Sequence, residues 1–85
     1  MDTATPLSLD ELAAAEERSM ALAYVSEAFA EAILDGIDVD AFAEAALCAA
    51  FRELVAVYGE DRAADIAKRL PDRITGGEFS SPTRQ

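Results

Sequence analysis

The chain has 85 residues, 17 acidic and seven basic side chains, one cysteine, no histidine and a net charge of −10. That length bounds it to one small domain with a thin core, because a chain of this size buries only about 60–65% of its extended surface. The charge disfavours phosphate backbones and anionic lipid, so neither nucleic acid nor a membrane is an expected partner, while 52% hydrophobic residues exceed what a disordered chain carries.

No apolar run approaches the roughly 20 residues that span a bilayer. Met1 to Leu9 lacks the basic segment and apolar stretch of a secretory signal. Cys48 has no partner for an internal disulfide, which suits a reducing compartment, so a cytoplasmic location is expected. The charge is unevenly spread. Residues 1–59 hold 12 acids against Arg18 and Arg52, a net of −10, whereas residues 60–85 hold five acids and five bases.

In chain order, residues 1–7 read as an N-terminal tail, 8–79 as a single helical domain and 80–85 as a C-terminal tail. Nineteen alanines favour helix throughout. Ser8-Leu9-Asp10-Glu11 is a capping box, with Leu7 and Leu12 at the two positions of a hydrophobic staple around it. The first helix is expected over 9–35, about 40 Å at 1.5 Å per residue, and Gly36 closes it. Asp38 reads as the next N-cap, with Ile37 and Phe42 as its staple, opening a helix over 39–58 that Gly59 ends. A third helix over 60–70 carries acids in its first turn and Lys68 and Arg69 near its end, as the helix dipole favours. Pro71 kinks or ends it, with a kinked extension to 75. Gly76-Gly77 stops the apolar spacing, and Phe79 is placed to tuck back.

At 100° per residue the first helix presents Ala15, Ser19, Leu22, Val25, Ser26, Phe29 and Ile33 as a stripe for burial. The serine hydroxyls are expected to bond to carbonyls one turn earlier. The second helix has a bulky face, Leu47, Phe51, Leu54 and Tyr58, and a flatter one of small residues. Only Glu44, Cys48 and Arg52 trace a narrow polar line between them. A helix apolar on most of its circumference needs neighbours on most sides. The fold class expected is therefore all-α: a long antiparallel hairpin plus a shorter third helix, paired with a second copy into a dimeric bundle. Phe42, Ala45, Ala49 and Ala56 are the candidate dimer-packing face.

No motif carries catalytic chemistry. The absence of histidine removes the commonest general base and the commonest transition-metal ligand. Ser19 and Ser26 have no base to activate them. Asp35, Asp38, Asp40 and Glu44 lack the spacing of a calcium loop and read as helix-start acids. An acyl carrier protein would place its serine in Asp-Ser-Leu at a helix start, and Arg18-Ser19-Met20 in mid-helix does not supply it. Cys48 reads as a buried packing residue with no base nearby. No metal, cofactor or enzymatic activity is expected. On the far side of the first helix, Met20 and Tyr24 stand among Glu17, Glu27, Glu31 and Asp35, an apolar centre with a charged rim. The function expected is protein–protein interaction or regulation by a homodimer, with itself and another protein as partners. An acidic mimic of nucleic acid that blocks a basic protein site is the alternative, and an enzyme with a site formed across the dimer is the third reading.

Overall fold

Ser8 sets the start of the first helix by satisfying amides that a helix leaves unpaired. Its Oγ accepts from the Glu11 N–H at 3.1 Å, and its own N–H donates to Glu11 Oε1 at 3.0 Å. The computed structural model describes residues 8–80, so Leu7 of the expected first staple, the tail 1–7 and residues 81–85 of the C-terminal tail lie outside the described residues.

The described chain is all-α, without a strand. Its elements are α1 (Leu9–Leu34), α2 (Val39–Tyr58), α3 (Glu60–Lys68) and α4 (Leu70–Thr75). It divides into two units, Met1–Ala43 and Glu44–Gln85.

In the first unit, α1 ends one residue before the expected Asp35, in a Schellman turn. The Gly36 N–H donates to the Ile33 carbonyl at 3.0 Å and the Ile37 N–H to the Ala32 carbonyl at 2.9 Å. Both bonds need the chain to reverse at Gly36, whose φ of +88° a side chain would strain. Ala32, which the expected stripe omits, is buried because the returning chain passes over it. The stripe itself is largely open: Ala15 and Phe29 are half-buried, while Ser19, Leu22, Val25, Ser26 and Ile33 are exposed. Neither serine makes the expected bond to a carbonyl. That bond forms instead at Thr75, whose Oγ1 donates to the Pro71 carbonyl at 3.1 Å.

α2 opens with the Asp38 carbonyl accepting from the Phe42 N–H at 3.0 Å. No hydrogen bond among the described residues reaches the Asp38 carboxylate, so its help to the helix is through charge at the positive end of the dipole. Ile37 is exposed and Phe42 half-buried. Phe42 packs against Phe29, the rings meeting edge to face with centroids 4.7 Å apart.

In the second unit, Gly59 separates α2 from α3 at φ 90°, ψ 168°, a backbone region that only glycine occupies without strain. The third helix is interrupted at Arg69, two residues before Pro71, and α4 supplies the expected extension to Thr75. Arg69 leaves the α-helical ladder with its N–H on Ile66 at 3.2 Å, and α4 restarts with the proline in its first turn. Ala63 is the buried residue here, with Ile66, Ala67 and Leu70 half-buried. A second Schellman turn closes α4, the Glu78 N–H donating to Arg73 and the Gly77 N–H to Ile74, both at 3.1 Å. There Arg73 forks onto Glu78 at 2.9 and 2.6 Å, its guanidinium 5.1 Å from the Phe79 ring centroid.

Candidate functional site

The periodicity of α1 places Met20 and Tyr24 one turn apart, and the structure leaves both exposed, at 62% and 73%. Met20, Ala23, Tyr24 and Glu27 surround a shallow hollow of about 270 Å³. A second hollow of about 380 Å³ continues toward the N-terminus between Ala13, Glu16, Glu17, Met20, Ala21 and Tyr24. The alanines are the cause, because a methyl group beside a longer side chain leaves a notch. Residues 20, 23, 24 and 27 form the four-cornered hole that receives one knob of a facing helix. Glu17 and Glu27 therefore join Met20 and Tyr24 around these hollows, with Glu16 added. Glu31 and Asp35 are exposed further along the chain and line neither hollow.

The candidate packing face on α2 is less uniform. Ala45, Ala49 and Ala56 are exposed, but Phe42 is half-buried and occupied by Phe29. On the bulky face Phe51 and Leu54 are half-buried, and Leu47 and Tyr58 are exposed. The Arg62 guanidinium lies 5.0 Å from the Tyr58 ring centroid, one turn on across Gly59.

Cys48 corrects the expectation of a buried thiol: it is exposed. Glu44 and Arg52, one turn on either side of Cys48, are exposed with it, and so are Leu47, Ala49 and Ala50. Cys48, Phe51, Arg52 and Val55 surround a hollow of about 460 Å³, again with the spacing of a four-residue hole.

Among the described residues, no set of three Cys, Asp or Glu side chains is placed to hold a metal ion. Glu78 is held below its ordinary value by the Arg73 hydrogen bond, and Arg73 is raised by the same contact. This clamp was not read from the sequence, since a five-residue spacing meets only where a glycine turn folds the chain back. The Arg62–Tyr58 spacing of four was a readable signal.

No helix among the described residues is long and apolar enough to cross a membrane. No protein family, curated protein or solved structure matches the chain.

Proposed function

We propose that this chain is one half of a homodimeric helical bundle whose work is to bind another protein. One observation carries the reading. Among the described residues only Ala32 and Ala63 are buried, while 16 large apolar side chains are exposed, including Leu22, Leu47, Val57 and Tyr58. Burying one such side chain stabilises by roughly 1.5–3 kcal/mol, whereas two alanines contribute far less. Isolated helices are marginal in water, so helices of this length need the burial that a second copy supplies. In the proposed bundle α1 and α2 form an antiparallel hairpin, as a link of Gly36, Ile37 and Asp38 favours, and two hairpins pair. The protein works in the cytoplasm, where a lone cysteine stays reduced.

The acid-rimmed hollows beside Met20 and Tyr24 supply the binding face, and the role is one of recognition without catalysis. Sedimentation equilibrium at micromolar concentration tests assembly. A mass near twice 9.0 kDa is expected, with a melting midpoint that rises with protein concentration. A fully helical 9.0 kDa species with a concentration-independent midpoint overturns the proposal.

The acidic ridge supports a second reading, mimicry of nucleic acid against a basic site. Binding by mimicry collapses as rising salt shortens the Debye length below about 8 Å, whereas an apolar contact at Met20 and Tyr24 persists.

A further inference from the structure

We infer that the dimer is built by α2 packing antiparallel on the α2 of a second copy, with the two-fold axis passing at Cys48. The inference rests on the homodimer proposed above and names its face.

The α1 surface is poorly suited to meeting itself. Its hollows are rimmed by Glu16, Glu17 and Glu27, and a symmetric contact there would set like charges against each other without a base among the lining residues. The Cys48 face of α2 has the opposite property. A symmetric antiparallel pair centred on one residue brings together positions equally distant from it on either side. Glu44 and Arg52 each stand four residues from Cys48, so Glu44 of one copy shares a level with Arg52 of the other, about 6 Å from the axis at 1.5 Å per residue. The pair occurs twice by symmetry, with both side chains exposed and free to meet. Ala45 and Phe51 each stand three residues from Cys48, so a small residue faces a large one across the seam. Phe51 and Val55, with Arg52 and Cys48, already line the open hollow of about 460 Å³ that a facing helix would fill. Charge and size are both self-complementary about the same residue. At the axis itself stands a side chain small enough for the backbones to approach.

Three measurements on the full chain test this. Sedimentation equilibrium should show dimerisation weakened about tenfold or more in Glu44→Arg and in Arg52→Glu, because each reversal sets two like-charge pairs in the interface. The combined Glu44→Arg/Arg52→Glu protein keeps the complementarity with its signs exchanged, and should recover to within about threefold of the parent. Wild-type protein treated with diamide, which takes two electrons and two protons from a pair of thiols, should become a Cys48–Cys48 covalent dimer in most chains without loss of helicity. The Arg52→Glu protein should cross-link far less at the same concentration. A wild-type dimer that resists cross-linking, or single reversals that leave its dissociation constant unchanged, overturns this face while the homodimer stands. A double reversal no better than the singles does the same. A helical monomer overturns both the face and the homodimer. The oxidation arm on wild-type protein needs no variant to fold.

Discussion

Phe29 and Phe42 meet edge to face on either side of the Gly36 turn, their ring planes at 79° and centroids 4.7 Å apart. The positive edge of one ring points at the negative face of the other, a geometry worth about 0.5–1.5 kcal/mol beyond area burial. Both rings are half-buried, so each alanine variant should lose less than the roughly 3–5 kcal/mol of a fully buried phenylalanine. Phe29→Ala, Phe42→Ala and the double variant should show a coupling of about 1 kcal/mol in chemical denaturation. Strictly additive losses would mean that the rings do not support each other.

The two glycine turns differ in what they tolerate. A Cβ at Gly36 or Gly59 meets nothing within 4 Å, so any penalty is conformational and not steric crowding from neighbours. Gly36 closes a Schellman turn, where asparagine is the usual substitute, and Gly36→Asn should cost less than the same change at Gly59. Gly59, at φ 90° and ψ 168°, lies where asparagine gains nothing. Gly59→Asn and Gly59→Ala should each lose about 1–3 kcal/mol. Equal melting midpoints for Gly36→Asn and Gly59→Asn would contradict this assignment.

The Arg73–Glu78 clamp makes the end of α4 sensitive to acid. Glu78 is held below its ordinary value of 4.5, first by the Arg73 hydrogen bond. A lowered pKa in the folded state gives stability that is present above the unfolded value and lost as pH falls through the folded one. Fraying of residues 70–80 should therefore begin only below pH 4.5, visible as loss of amide protection at Gly77 and Glu78. Glu78→Gln should abolish that pH dependence. The effect is local, because both side chains lie at the surface, 43% and 49% exposed, where solvent screens the pair.

Met20→Ala combined with Tyr24→Ala removes the apolar centre of the α1 hollows. Both residues are exposed, so helicity should hold and each change should alter stability by no more than about 0.5 kcal/mol. On the proposed function, capture of a partner from the native host should fall sharply, while the proposed dimerisation through α2 should be unaffected. A destabilised but still dimeric variant would assign the pair to internal packing, and an unaltered capture profile would leave them as ordinary surface.

What was legible in the sequence was where the helices start and stop. Ser8 and Glu11 cap each other across three residues. Gly36 and Gly59 stop helices by a backbone conformation that depends on their own missing Cβ. Pro71 breaks the ladder through its own ring. These are short-range steric and hydrogen-bonding rules, and they place α1 and α2 to within a residue. Burial was the tertiary structure's decision. Ala32 is covered because a turn returns over it, Ile33 beside it stays open, and Cys48 faces outward although its neighbours in sequence are apolar. Helical periodicity shows which side chains share a face, but several faces of these helices are apolar. Which of them is covered depends on where another part of the chain passes, as the Gly36 turn passes over Ala32.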